Sequence, residues 1–216
     1  MTKIKSLFVS LLLTLGVSTA IAGSHGGTLD LVKDRGKLMC GSNTGLAGFG
    51  NPNDAGVWEG IDVDVCRAVA AAVFGDSTAV EFVPTTSKVR FTVLQSGEID
   101  MLSRNTTWTL SRDVDLGLEF VGVNYYDGQG FMVPASLGVS SATELDGASV
   151  CIQVGTTTEM NLADYFKANG MSYESVPVET NSEADAAYVA GRCDVTQQTL
   201  QVYMQVELAI QIHLLT

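Results

Sequence analysis

A chain of 216 residues with 24 acidic and 12 basic residues has a formal net charge of −12 at neutral pH. This balance argues against nucleic acid and anionic membranes as partners, because both carry negative charge themselves. It does not restrict a small ligand inside a cleft, where a single arginine can set the local field.

The first 22 residues have the pattern of a cleavable secretory signal. Lys3 and Lys5 precede an apolar run over residues 7–17, and the small-x-small sequence AIA at residues 20–22 fits a cleavage site. The apolar run is shorter than the roughly 20 residues that a membrane span needs. We therefore expect a signal peptide over residues 1–22 and a mature chain in the periplasm; an uncleaved N-terminal anchor is the alternative.

The first half of the mature chain is predicted to alternate strands with helices. Between residues 61 and 74 apolar side chains recur at helical spacing, and Gly75 follows as a stop signal. A second helix is predicted over Ser87–Ser96, and strands over Lys37–Cys40, Ala79–Val83 and Ile99–Leu102. The order β-α-β-α-β is expected for a parallel or mixed sheet that is covered by helices.

The second half of the chain repeats this alternation. Strands are predicted over Gly130–Val133, over Ser149–Gln153 and from Cys193 onward, and helices over Thr158–Ala168 and Ser182–Ala190. The sequence YYDGQG at residues 125–130 is the best crossing point between the halves. We predict two α/β lobes, residues 23–128 and 129–194, with a ligand cleft between them.

Four cysteines in an exported chain are expected to form disulfides. Sequence alone permits three pairings, and the placement of two cysteines in each half favours Cys40–Cys66 and Cys151–Cys193. Free buried thiols are the alternative. The chain has no CxxC motif and only two histidines, both near the termini, so we predict neither a metal site nor a cofactor.

The polar sequence SRNTTWTLSR, residues 103–112, directly follows a predicted buried strand. In open α/β sheets ligands gather at the carboxyl ends of strands. Thr109 can cap a helical turn that brings Arg112 to this strand end, where a guanidinium can bind a carboxylate through two parallel hydrogen bonds. The alternative is that Arg112 pairs with Asp113 or Asp115 at the surface.

The sequence VGTTTE, residues 154–159, follows a predicted strand of the second lobe. Thr156 and Glu159 match a capping box, which fixes a helix start there, and unpaired N–H groups at helix starts attract anions. Thr157 could then contact the carboxylate that Arg112 binds, or the motif could be a cap alone. Trp58 and Trp108 lie in polar or glycine-flanked segments, where each could cover a ligand or pack under a loop.

Several motifs together resemble the general L-amino-acid-binding periplasmic proteins of polar amino acid ABC importers, which belong to solute-binding protein family 3. The resemblance runs from about residue 29 to residue 194. It is carried by GLAGFG, GVWEGIDVDVCRAVAAAVFGD, RFTVLQSGEIDMLSRNTTWTLSRD, YYDGQGFMV, GTTTEMNLADYFKANGM and AYVAGRCD. It implies a two-lobed fold of the type II periplasmic-binding-protein kind, which closes on one amino acid, acts as a monomer and delivers its ligand to a membrane permease.

The resemblance also implies roles for particular residues. Arg112 matches the carboxylate-binding arginine of the family, Thr107 a ligand-bonding hydroxyl, and Asn105 a backbone acceptor for the ligand ammonium. Thr157 matches the second threonine of the opposite-lobe loop, and Gln153 and Trp58 match positions near the ligand side chain. No charged residue is evident at the side-chain end, so we expect broad specificity.

Other classes of function remain as alternatives to amino-acid binding. An enzyme on the same fold, similar to periplasmic cyclohexadienyl dehydratase, would need a general acid over the ligand. We identify no histidine in the body of the chain and no carboxylate beside Arg112 and Thr157 for that role. A sensor ectodomain and a non-functional truncated product are further alternatives.

The last 22 residues, 195–216, lack the Gly and Asp punctuation of the rest, and the resemblance stops after Asp194. Back-translated with suitable codons and read in a shifted frame, residues 195–203 become YTTDASGL. This is the sequence that the family carries after GRCD, including its ammonium-binding aspartate. We predict that residues 195–216 are an aberrant tail produced by a frameshift, which leaves the fold C-terminally truncated and the second lobe incomplete. We therefore expect the 216-residue chain to fold poorly and to bind amino acids weakly or not at all.

Overall fold

The computed structural model describes residues 27–199 and the backbone of residues 212–215. The predicted signal peptide, residues 1–22, lies outside the described residues, as does most of the predicted aberrant tail. Within the described part, no helix is both long enough and apolar enough to cross a membrane.

The first lobe is built on a parallel sheet of three strands in the order β4-β1-β5. Its strands are β1 Leu38–Ser42, β4 Val80–Pro84 and β5 Met101–Leu102. Its helices are α1 Thr28–Arg35, α2 Ile61–Phe74 and α3 Arg90–Gln95. A small separate hairpin pairs β2 Asn51–Pro52 with β3 Trp58–Glu59. Val32, Leu38 and Ala70 are buried between the helices and the sheet. The carboxyl ends of all three sheet strands therefore lie at one edge.

Gly60 determines where α2 begins. It has a φ of 118°, and a Cβ atom at this position would lie 2.3 Å from the carbonyl oxygen of Phe49. Only glycine tolerates both the backbone conformation and this close approach. The loop around Phe49 can therefore pack directly against the first turn of α2.

The second lobe has a mixed sheet of five strands in the order β10-β6-β9-β7-β8. Its strands are β6 Gln129–Pro134, β7 Ser149–Gln153, β8 Glu174–Val178, β9 Val195–Thr199 and β10 Ile212–Leu215, and its helices are α4 Thr157–Ala168 and α5 Asn181–Val189. Strand β6 is antiparallel to β9 and β10, whereas β7 is parallel to β8 and β9. Phe131, Ile152, Leu162 and Phe166 form its core.

The two disulfides have the predicted pairing, and each lies within one lobe. Cys40 of β1 is bonded to Cys66 of α2, with a Cα–Cα distance of 6.2 Å. Cys151 of β7 is bonded to Cys193, which lies just before β9, at a Cα–Cα distance of 5.6 Å. All four cysteines are buried. The disulfides thus tie a sheet strand to a neighbouring element in each lobe.

Candidate ligand-binding site

The two lobes meet where the loops after their strands face each other. Thr107 follows β5 of the first lobe and Thr157 begins α4 of the second, and their hydroxyl oxygens are 3.1 Å apart. The pocket at this contact has a volume of about 20 Å³ and is lined by Arg90, Asn105, Thr107, Gln153, Thr156, Thr157, Thr158 and Gln198. Every lining residue is polar, so the site suits a polar ligand. The volume holds about one water molecule, so an amino acid enters only when the lobes separate.

Arg112 is not a lining residue of this pocket; it lies on a π-helical turn over Ser111–Asp115 and contacts Thr107, which lines it. Its backbone N–H donates to the Thr109 hydroxyl at 3.2 Å, as the predicted cap requires. Its Nη1 donates to the carbonyl oxygen of Thr107 at 2.7 Å. The residue is buried, and burial lowers the pKa of its guanidinium. In the described part of the chain it has no ion pair with Asp113 or another carboxylate.

The start of α4 contacts the first lobe at Thr107. Thr156 is its N-cap, and the Thr156 hydroxyl accepts a hydrogen bond from the Glu159 N–H at 3.1 Å. The Glu159 carboxylate accepts from the N–H of Gly155 at 2.8 Å rather than from the N-cap residue, a small departure from the predicted box. Thr157 has its hydroxyl directed toward the first lobe. The positive end of the helix dipole therefore points at the cleft.

Asn105 lines the pocket and is held in place by hydrogen bonds. Its side-chain oxygen accepts hydrogen bonds from Asn43 at 3.0 Å and from Nη2 of Arg104 at 2.9 Å. Its backbone carbonyl, the predicted acceptor for a ligand ammonium, accepts from Nη1 of Arg90 at 3.1 Å. A carbonyl oxygen has two lone pairs, so a second donor can share this acceptor.

The remaining predicted site residues lie at different distances from the pocket. Gln153 lines it and is buried, and its Nε2 donates to the carbonyl of Glu179 at 3.0 Å. Trp58 is stacked on Phe82, with ring centroids 5.2 Å apart, and is not a lining residue of this pocket. Trp108 is half exposed and donates to Asp113. The role of Trp58 at a ligand side chain stays a prediction.

Two buried arginines at the site are not predicted by the sequence patterns. Arg90, at the start of α3, is 2% exposed, and Arg104, after β5, is 5% exposed. Burial is the main cause of the lowered pKa of both groups, and it brings that of Arg104 to about 10. One sequence feature could have indicated their burial. Arg90 stands between two apolar residues in VRF and Arg104 between two polar residues in SRN, and neither has an acidic residue directly beside it in the sequence.

Contacts between the lobes hold the cleft closed. Nη2 of Arg90 donates to the carbonyl of Gly155 at 3.3 Å, and Lys88 is 3.7 Å from the carboxylate of Glu179. Gly155 has a φ of 74°, and a Cβ atom there would be 3.1 Å from the Cα of Lys88. A side chain at Gly155 would therefore obstruct closure.

Two α/β lobes that meet over a buried polar pocket define the class of two-lobed solute-binding proteins. Comparison with known proteins bears this out: the model of the family "Bacterial extracellular solute-binding proteins, family 3" matches residues 38–210. This chain belongs to that family. The resemblance seen in the sequence and the two-lobed α/β fold are thereby confirmed, and the family is one of extracellular proteins.

Curated relatives are amino-acid-binding proteins by name. The glutamate/glutamine/aspartate/asparagine-binding protein BztA of Rhodobacter capsulatus is 58% identical over 182 residues, which are 84% of this chain and 54% of BztA. The general L-amino acid-binding periplasmic protein AapJ of Rhizobium johnstonii is 59% identical over 183 residues, which are 85% of this chain and 52% of AapJ. This chain thus spans about half the length of these relatives.

Solved structures show the same fold. A periplasmic binding protein of an ABC transporter from Brucella ovis, with glutathione bound, has 55% identity and a TM-score of 0.81, over 89% of this chain and 62% of that one. The ancestral amino-acid-binding protein AncCDT-1, described as a precursor of cyclohexadienyl dehydratase, has 26% identity and a TM-score of 0.76, over 88% of this chain and 81% of that one.

Proposed function

We propose that this protein captures L-amino acids in the periplasm and delivers them to the permease of an ABC transporter. The observation that carries the proposal is a buried guanidinium, Arg112, which has no carboxylate partner among the described residues. It donates to the carbonyl of Thr107, whose hydroxyl contacts Thr157 at the start of α4. A buried charge is stable only when it is paired, so the site is built for an anion. The binding functions in the names of the relatives support an amino acid as that anion.

The contacts of the site give each residue a role in binding. The ligand carboxylate binds Arg112 through charge-assisted hydrogen bonds and accepts further hydrogen bonds from the hydroxyls of Thr107 and Thr157. The backbone carbonyl of Asn105 accepts from the ammonium. Because Thr107 and Thr157 belong to different lobes, a ligand between them bridges the lobes and favours the closed conformation.

An enzyme of the same fold is the second candidate, and the likeness to AncCDT-1 is the observation that favours it. Dehydration of a prephenate-like substrate needs a general acid near the leaving group. The pocket lining consists of hydroxyl, amide and guanidinium side chains, none of which has a pKa suited to that task. We therefore propose binding without chemistry.

The decisive experiment is calorimetric titration, with a panel of L-amino acids, of the purified, disulfide-intact protein in which the family reading frame continues beyond residue 194. We expect micromolar affinity, which corresponds to roughly −8 kcal/mol, and no heat with the matching D-amino acids. Incubation with arogenate and prephenate is the parallel assay, in which turnover would support the enzyme instead. If that protein binds no L-amino acid, the proposal is contradicted.

A further inference from the structure

We propose that Arg104 is a positioning residue for the ligand ammonium: it holds Asn105 in the orientation in which the backbone carbonyl of Asn105 binds that group. The inference rests on the proposed amino-acid-binding function and deepens it, because that function leaves Arg104 without a role. Like charges repel, so a cation next to an ammonium site needs a reason other than charge attraction.

The hydrogen bonds of Arg104 are directed into the first lobe and not into the pocket. The residue is 5% exposed, and the pocket is lined by Asn105 but not by Arg104. Its Nη1 donates to the carbonyl of Thr85 at 2.7 Å, and its Nη2 donates to the hydroxyl of Ser87 at 3.2 Å. Its Nε and Nη2 also donate to the Asn105 side chain. Arg104 therefore acts on a ligand through the residues that it holds.

The side-chain oxygen of Asn105 is the atom at which these hydrogen bonds reach a pocket residue. It accepts from Nε of Arg104 at 3.2 Å, from Nη2 of Arg104 at 2.9 Å and from Nδ2 of Asn43 at 3.0 Å. An amide oxygen has two lone pairs, so three donors saturate it. The orientation of the Asn105 side chain is thereby fixed, and two of the three donors belong to Arg104.

The same hydrogen bonds join the loops that follow the three strands of the first-lobe sheet. Asn43 follows β1, Thr85 and Ser87 follow β4, and Arg104 and Asn105 follow β5. Asn105 lies outside any helix or strand, so ladder hydrogen bonds do not fix its peptide plane. Side-chain contacts supply this constraint, and a planar guanidinium with five donors in a fixed fork is suited to it.

The charge of Arg104 and its hold on Asn105 affect an ammonium in opposite directions. Burial lowers the pKa of Arg104 to about 10, and the charge of the buried Asp62 opposes this shift. Asp62 therefore reduces the repulsion between Arg104 and an ammonium without reversing it. Removal of the Arg104 charge by itself should strengthen ammonium binding, whereas removal of its hold on Asn105 should weaken it. The sign of the change in affinity thus separates the two effects.

The test compares two ligands that differ only at the group bound by the Asn105 carbonyl. Calorimetry measures the affinity of the protein with the continued reading frame for the L-amino acid that it binds most tightly, and for the 2-hydroxy acid of the same side chain and configuration. We expect the amino acid to bind about 10- to 100-fold more tightly, as for a charge-assisted hydrogen bond. In Arg104→Met this preference should fall about tenfold, and Asn105→Ala, which keeps the backbone carbonyl, should also lower it.

Arg35→Met is the matched control within the first lobe. Arg35 is bonded to Asp100 and to the carbonyl of Lys37, which precede β5 and β1 at the end of the sheet opposite to the cleft, so its loss should leave the preference unchanged. Adding Arg104→Met to Asn105→Ala should lower the preference no further than Asn105→Ala does, because both changes break the same contact.

The outcomes distinguish positioning from a merely structural role. Equal weakening of both ligands in Arg104→Met is expected of a structural residue and would overturn the inference, as would a raised preference or additive effects in the double variant. Each of these results leaves amino-acid binding intact. If Arg104→Met does not fold, Asn105→Ala decides, and an unchanged preference in that variant overturns the inference. Binding of no amino acid at all would refute both proposals.

Discussion

At the scale of single residues, buried cations are the main feature of the candidate site. Arg112 is held by Thr107 and Thr109 and stacks on Phe91, so its direction is fixed by the protein. Pre-organisation of this kind lowers the entropic cost of binding. Burial of the Arg112 charge is unfavourable for the fold, and a ligand carboxylate would offset this unfavourable free energy.

Arg112→Ala should abolish or nearly abolish amino-acid binding. Loss of the paired charge-assisted contacts should remove about half of the roughly −8 kcal/mol available to a micromolar receptor, which is several hundredfold in affinity. Arg112→Lys, which keeps the charge and loses the two-pronged geometry, should be intermediate. Calorimetry with L-amino acids measures the effect, and full-strength binding by the alanine variant would end the assignment.

At the scale of elements, the N-terminus of α5 carries a complete capping box. The Thr180 hydroxyl accepts from the Glu183 N–H at 3.2 Å, and the Glu183 carboxylate accepts from the N–H groups of Glu179 and Thr180. The sequence predicts a helix over Ser182–Ala190 but not the capping box between Thr180 and Glu183. These hydrogen bonds fix the N-terminal end of α5.

Thr180→Ala should lower the free energy of unfolding by about 1 kcal/mol, the usual cost of losing an N-cap. Urea unfolding at pH 7 measures it. Thr143→Ala, on a 3-10 turn outside α5, is the comparison and should cost less. Equal unfolding midpoints for Thr180→Ala and the unmodified protein would show that the cap does not limit stability.

Glu183→Gln should be less stable than the unmodified protein at pH 7, and the difference should vanish in acid. Hydrogen bonds from Glu179 and Thr180 lower the pKa of Glu183 below its usual 4.5. A lowered pKa in the folded state means that the carboxylate stabilises the fold above its unfolded pKa and loses this effect as pH falls through the folded pKa. Urea midpoints between pH 7 and about pH 3 test this, and a constant difference would contradict it.

At the scale of the whole molecule, the disulfides stabilise each lobe separately. The Cys151–Cys193 bond spans a sequence separation of 42 and the Cys40–Cys66 bond one of 26. Replacing Cys151 and Cys193 by alanine should cost about 4 kcal/mol in the chain-entropy model, and replacing Cys40 and Cys66 about 3.5 kcal/mol. Denaturant unfolding of both double variants gives the comparison. Non-reducing peptide mapping that finds a link between the lobes would refute the pairing.

The origin of residues 195–216 stays a prediction that resequencing of the gene can test. We expect the sequence YTTDASGL and further family sequence in another frame downstream of codon 194. In the structure, Val195–Thr199 is strand β9 and pairs with β6 and β7, and the family match extends to residue 210. An uninterrupted reading frame with no family sequence in another frame would refute the frameshift.

The sequence by itself determined most of the local structure and gave candidates for part of the site. Helical spacing ending at Gly75 predicted α2 with its observed bounds, because a helix interior and its glycine stop are set by neighbouring residues. The threonine at 156 predicted the start of α4 for the same reason. Arg112 and Thr157 are predicted ligand-binding residues because each follows a strand end and carries chemistry that suits an anion.

Only the tertiary structure decided which cations share the cleft. Arg90 begins a short helix, Arg104 follows a different strand, and nothing in their separation along the chain shows that both are buried near Arg112. Burial and pairing depend on how β1, β4 and β5 bring their ends to one edge and on the second lobe closing over Arg90. Electrostatic free energy depends on these distances in space, which sequence spacing does not contain.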